Sequence, residues 1–138
     1  LSTIKLLSQL KLDYSSQAIL VDKTLYVSGT LGLDAQAQLV CGGAEEQTRQ
    51  ALTNMKHVLE AGGASLDSVV KTTILLQDMA DFQAVNKVYS EFFPQNCPAR
   101  ATYQVAKLPA GAAVEIEAIH NLLSHLTKTL VRGTAKEL

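Results

Sequence analysis

Two charged residues in the C-terminal half have the types and the settings from which a reaction on a small acid could be built. Arg100 follows Pro98 and stands at the entry to the segment Ala101 to Leu108. Proline stiffens the chain there, and an arginine held at a strand entry offers a planar two-pronged fork to a carboxylate. A solvated surface arginine is the plainer alternative. Glu115 lies in Val114-Glu115-Ile116-Glu117-Ala118-Ile119, where alternation sets both glutamates on one strand face and the aliphatics on the other. Such pairs are common on solvated strands, whereas a glutamate in an apolar cleft orients or deprotonates a water. Ser28-Gly29-Thr30 ends another strand, where glycine marks a bulge or lets a ligand approach the backbone. Ser28 has no GxSxG or Ser-His-Asp setting, so it is a poor nucleophile. Tyr14, Asn86 and Thr102 read alone as ordinary surface or packing residues.

Other chemistries find little to stand on. His57, His120 and His125 form no HExxH, and Cys41 and Cys97 form no CxxC, so neither a zinc site nor a disulfide framework is expected. Gly32, Gly42 and Gly43 fit neither GxGxxG nor GxxxxGK[ST]. The expectation is a protein without metal or organic cofactor.

The frame that must position these residues is small. The chain has 138 residues, with 12 Lys+Arg against 13 Asp+Glu for a net charge of -1, and is 47% hydrophobic and 18% charged. That composition predicts one globular domain. Near-neutral charge removes a general electrostatic attraction to nucleic acid or acidic membranes. No apolar run approaches a bilayer span, and Lys5, Ser8, Gln9 and Lys11 interrupt the N-terminal stretch, which argues against a signal peptide. A cytoplasmic protein without membrane contact is expected.

Periodicity predicts a helix over residues 44–61. Ala51, Leu52, Met55, Val58 and Leu59 share its buried face, Glu45 pairs with Arg49, and Gly62-Gly63 close it. A second helix is predicted over 81–93, capped by Asp81, striped by Phe82, Val85, Val88 and Phe92, and stopped by Pro94. Strands are predicted over 17–21, 24–30, 69–76, 101–108 and 113–122, with a short one near 38–40. Asp22-Lys23 reads as a hairpin connection and Pro109-Ala110-Gly111 as a turn. The result is an α+β domain over 1–122, a mostly antiparallel or mixed sheet with two helices on one face, followed by a polar tail over 123–138.

Two geometric consequences follow. Folding 101–108 onto 113–122 as a plain hairpin sets Arg100 and Glu115 five positions apart, roughly 16 Å. A site using both then needs a bulge, a spanning ligand, or a cleft built from two subunits. With both helices on one face, the other sheet face is uncovered and apolar at several positions, which predicts a homo-oligomer.

Taken together, Tyr26-Val27-Ser28-Gly29, Val70-Lys71-Thr72-Thr73, Asp81-Phe82-Gln83-Ala84-Val85-Asn86, Pro98-Ala99-Arg100 and Val114 to Ile119 resemble the RidA/YjgF family of reactive intermediate deaminases. The likeness runs in order from Tyr14 to His120 and is strongest to animal members. It implies a chorismate-mutase-like fold, a homotrimer with a central barrel, and clefts between subunits. By position, Arg100 matches the arginine that binds the substrate carboxylate and Glu115 the glutamate that positions the hydrolytic water. Tyr14, Ser28, Gly29, Asn86 and Thr102 match other substrate-binding positions, Thr102 standing where cysteine is frequent. Leu12-Asp13 precede Tyr14 where many members have Gly-Pro.

The implied reaction is hydrolysis of short 2-imino acids, or their enamine tautomers, to 2-oxo acids and ammonia, downstream of pyridoxal-phosphate-dependent dehydratases. Two other readings stand beside it. One is an endoribonuclease or translation inhibitor acting on RNA, an activity also attributed to animal members. The other is a non-catalytic binding or chaperone-like trimer.

Overall fold

Residues 15–124 and 128–131 are described by the computed structural model of the chain. Strand β1 (Ala18–Val21) turns through Asp22 and Lys23 into β2 (Thr24–Leu31), with Val21 facing Thr24. Asp22 takes the positive φ of 52° that so tight a turn requires. Helix α1 (Gly43–Ala61) follows, then β3 (Val69–Leu76), α2 (Phe82–Phe92), β4 (Ala99–Gln104) and β5 (Val114–Asn121). The short strand expected near 38–40 is only a single bridge between Leu33 and Leu39. There Asp34 Oδ1 accepts from the amides of Gln36 and Gln38, both at 2.9 Å, so the segment turns back on itself instead of extending.

The sheet runs β1-β2-β5-β3-β4. This corrects the expected hairpin, because β4 and β5 never pair. β3 lies between them, parallel to β4 and antiparallel to β5. The reason is the crossover: a helix between two strands returns the chain to the same sheet end, so β3-α2-β4 is a parallel unit. Pro109–Gly111 is still a turn, with φ of 57° at Ala110 and 70° at Gly111. It leads over the end of β3 instead of closing a hairpin.

Both helices pack on one sheet face, as expected. Leu52, Met55 and Leu59 of α1 and Val85 and Val88 of α2 are wholly buried, together with Ile74, Leu76, Val114 and Ile116 from the strands. Gly63 closes α1 at φ 77°, and the Ala64 amide reaches back to Leu59 O at 2.8 Å. Two local expectations are corrected. Asp81 makes no side-chain cap. Instead a 3-10 turn over Met79–Asp81 precedes α2, and Asp78 Oδ1 caps that turn by accepting from the Ala80 amide at 2.8 Å. The Glu45–Arg49 pair is replaced by bridges between the helices: Lys87 reaches Glu45 at 2.9 Å and Arg49 reaches Glu91. These pairs are exposed and add little in salt.

Among the described residues, the opposite face carries no helix. Ile19, Val21, Tyr26 and Tyr103 are each about half exposed. By register they line up with Leu75, Thr73, Lys71, Ile119, Glu117 and Glu115 on that open face.

Candidate active site

Arg100 is opposite Thr72 in the β3–β4 ladder. Residues directly opposite in a ladder point to the same side, so Arg100 shares the helix side with buried Thr72, near the free edge that β4 forms. There it meets α2. Arg100 Nη1 donates to Asn86 Oδ1 at 2.7 Å. Its guanidinium carbon lies 4.9 Å from the ring centre of Tyr89 and 5.7 Å from that of Phe82. One donor is thus used in fixing the fork, and four remain for a ligand. Thr102, two residues along β4, shares this side. Its Oγ1 is buried and has no hydrogen-bond partner among the described residues.

Glu115 is opposite Leu75 of β3 and Leu31 of β2, on the open face. Beside it the β2–β5 register shifts between Val27 and Thr30, so Ser28-Gly29 forms an irregularity in the ladder. The structural reason for glycine here is space. A Cβ on Gly29 would stand 2.0 Å from Glu115 Oε1, so the carboxylate lies where any side chain would be. Ser28 Oγ donates to Ser16 O at 2.5 Å, and its amide to Gln17 O at 2.9 Å, which fixes the bulge to the segment before β1. Half-burial pushes the Glu115 carboxyl above its ordinary range, and the charge of Glu117 on the same face pushes the same way.

The two groups of residues do not meet within one chain. Arg100 aligns with Thr72 and Glu115 with Leu75, on opposite sides of β3. Three residues along the strand and two strand spacings across place them roughly 14 Å apart. The offset is odd, so they also project from opposite faces of the sheet. The structure thus gathers Arg100, Asn86 and Thr102 at one place and Ser28, Gly29 and Glu115 at another. Tyr14 lies outside the described residues.

Sequence reasoning missed the two rings and the threonine behind them. Phe82, Asn86 and Tyr89 follow each other at four- and three-residue spacing, which stacks them on one helical face. That signal was present, although Tyr89 had no place in the apolar stripe. Thr72 could be recognised only from the β3–β4 register.

Neither Arg100 nor Glu115 lines either of two hollows on the surface of the described residues. One, of about 160 Å³, is on the open face between Tyr26, Lys71 and Glu117. The other is between the 94–99 loop and residues 128–131, where Lys128 Nζ donates to Asn96 O at 2.8 Å and Val69 O at 3.1 Å. Among the described residues, no group of three or more His, Cys, Asp or Glu could hold a metal ion. His120 is wholly buried, with Nδ1 2.8 Å from Ser68 O. Burial holds its pKa below the usual imidazole value. Among the described residues, no helix is long and apolar enough to cross a membrane.

Comparison with known proteins agrees with the resemblance. The model of the endoribonuclease L-PSP family matches residues 8–121. The human 2-iminobutanoate/2-iminopropanoate deaminase is 53% identical over 105 residues, covering 75% of this chain and 77% of that protein. A crystal structure of a candidate endoribonuclease from Thermotoga maritima superposes with a TM-score of 0.78 at 44% identity, covering 80% of this chain and 88% of that one. Escherichia coli TdcF, solved with bound serine, gives a TM-score of 0.73 at 31% identity, covering 78% and 87%. The open five-stranded sheet with two helices on one face is thus the fold of these relatives, and the chain belongs to the endoribonuclease L-PSP family, also called RidA/YjgF.

Proposed function

We propose that the protein is a deaminase that hydrolyses short 2-imino acids to 2-oxo acids and ammonia, in a site completed by a neighbouring copy of the chain. The observation that carries this reading is the Arg100 fork, already oriented by Asn86 with donors to spare. Such a fork fits the carboxylate common to this substrate class. The name of the human relative and the serine bound to TdcF, itself an α-carboxylate, support the same class.

The chemistry asks for orientation more than force. An iminium carbon is already electrophilic, so fixing the substrate and one water in line supplies much of the acceleration. Water oxygen bonds to the C=N carbon as one of its protons passes to Glu115. The carboxyl returns that proton to nitrogen, the C–N bond breaks, and the remaining hydroxyl becomes the 2-oxo group as ammonia leaves with its proton. A carboxyl raised by burial is a stronger base than an ordinary glutamate's, which suits it to take the water's proton. Arg100 holds the carboxylate throughout. Thr102, two residues along β4 from Arg100 and on the same side of the sheet, is assigned to the substrate pocket by the resemblance. Asn86 holds the fork, Ser28 and Gly29 shape the ground under Glu115, and Tyr14 is assigned to the pocket by the resemblance alone.

Arg100 and Glu115 point from opposite faces, so one chain cannot supply both to one substrate. Setting the β4 edge of one copy against the open face of the next brings them together and covers the exposed Tyr26 and Ile19. The trimer implied by the resemblance is such an arrangement. The imine would come from a pyridoxal-phosphate-dependent dehydratase.

In a coupled assay where such a dehydratase generates 2-iminobutanoate, Arg100→Ala should abolish accelerated 2-oxobutanoate formation and leave the oligomer intact. Unchanged acceleration by the variant overturns the role given to Arg100. The family description favours a second reading, RNA cleavage. Against it, His120 is wholly buried. Salt-dependent RNA cleavage that Arg100→Ala or Glu115→Gln removes is the result that would establish it.

A further inference from the structure

The guanidinium of Arg100 is exposed, and an exposed arginine on an edge strand ordinarily samples many rotamers. Here it does not hang free. It lies over two aromatic rings, at 4.9 Å from Tyr89 and 5.7 Å from Phe82, while Asn86 takes one of its donors. The Tyr89 ring is itself held from three directions. Its hydroxyl is 2.7 Å from Thr72 Oγ1 in a buried contact. Its ring packs against Phe93 at 4.6 Å between centres, tilted by 35°. Its backbone belongs to α2, and the residue is only 6% exposed. Thr72 is also the residue opposite Arg100 in the β3–β4 ladder. One threonine therefore sets both the strand position of the arginine and the attitude of the ring beneath it.

From this geometry we infer that Tyr89 is a positioning residue for substrate binding: a clamped aromatic platform, extended by Phe82, on which the Arg100 guanidinium is held with its free N–H fork turned outward to the substrate carboxylate. The inference deepens the deaminase reading and rests on it. A cation over an aromatic face is attracted by the negative π cloud, most strongly when partly removed from water. A ring on one side of the planar fork also leaves only the outer edge and the opposite side open to a ligand. Burial keeps the Tyr89 phenol neutral through the working pH range, so the platform offers a ring face and not a charge. Asn86 and the rings divide the labour: the amide sets the rotation of the fork in its plane, and the rings set the plane.

A platform acts on binding more than on the chemical step, which separates it from a merely structural role. The test measures the Kd of the product 2-oxobutanoate by calorimetry, and KM and kcat for 2-iminobutanoate in the coupled assay. Tyr89→Leu, folded and with the oligomeric state unchanged, should raise Kd and KM about tenfold while kcat falls less than about threefold. Tyr89→Phe keeps the ring and should restore both values to within about twofold of wild type, though it loses the Thr72 contact. Phe82→Leu, at the more distant and half-exposed ring, should raise KM about threefold. If Tyr89→Leu does not fold, Tyr89→Met fills more of the space without offering a ring face and takes its place.

Unchanged Kd and KM in the ringless variant overturn the inference, as does Tyr89→Phe losing as much as Tyr89→Leu. Arg100→Ala separates the two levels of failure. If it binds 2-oxobutanoate as wild type does, the carboxylate reading of Arg100 fails and the platform with it. If it loses binding while the ringless Tyr89 variant keeps it, the platform alone is wrong.

Discussion

Glu115 carries a carboxyl that folding makes harder to ionise, because it is half-buried and shares its face with Glu117. The sign of the effect on catalysis is definite. A general base must be deprotonated, so kcat/KM should fall as pH drops through the raised value. Glu117→Gln removes the repelling charge and should move that acid limb to lower pH; a limb that does not move contradicts the account. Stability runs the other way. A carboxyl raised on folding contributes stability that is complete below its unfolded value, about pH 4, and lost as pH rises through the folded value. Glu115→Gln should therefore raise the melting temperature near neutral pH, with the gain shrinking towards pH 4, and a lowered melting temperature at neutral pH is the opposing result. At this scale much was legible: Arg100, Glu115 and Asn86 sit in recognisable motifs, and strand alternation set Glu115 and Glu117 together. Tyr89 was legible only as a helical neighbour of Asn86 and Phe82, and Thr72 not at all, since the contact between them joins helix to strand.

Two glycines show how the elements divide between function and folding. Gly29 and Gly32 both lack room for a Cβ, but they meet different neighbours. At Gly29 the obstacle is the far end of the Glu115 side chain, 2.0 Å away. At Gly32 it is the backbone of α1, with Gln47 O at 2.5 Å and Gln47 Cα at 2.6 Å. A carboxylate can swing aside, and a helix cannot. Gly29→Ala should thus leave the melting temperature nearly unchanged while turnover falls about 100-fold, the scale of a displaced general base. Gly32→Ala should destabilise by about 2 kcal/mol, as overpacking does. Equal melting losses in the two variants would contradict this division. The elements themselves were largely legible, both helices falling within a residue or two of the periodic stretches. The sheet order was not. Strands 101–108 and 113–122, joined by Pro109-Ala110-Gly111, look like a hairpin, and only the crossover through α2 reveals that β3 intervenes. That one change altered the site, because it turned a separation along a hairpin into a separation across two faces.

At the scale of the whole molecule, the described sheet is covered by helices on one face only. One face is closed by α1 and α2, and the other leaves Ile19, Val21, Tyr26 and Tyr103 half exposed. The uncovered face was foreseen from apolar residues at both parities of the strands, although their exact partners were not. The central claim is that Arg100 of one copy and Glu115 of another act on the same imine. Subunit mixing tests it most directly. Arg100→Ala and Glu115→Ala should each be inactive alone; unfolded together in equal amounts and refolded, they should distribute at random around the proposed closed ring. Each site at a junction then has about one chance in four of receiving an intact arginine and an intact glutamate, whatever the number of subunits. The account predicts recovery of about a quarter of wild-type 2-iminobutanoate hydrolysis in the mixture. A mixture that refolds to the native oligomer and stays as inactive as its parents would contradict it.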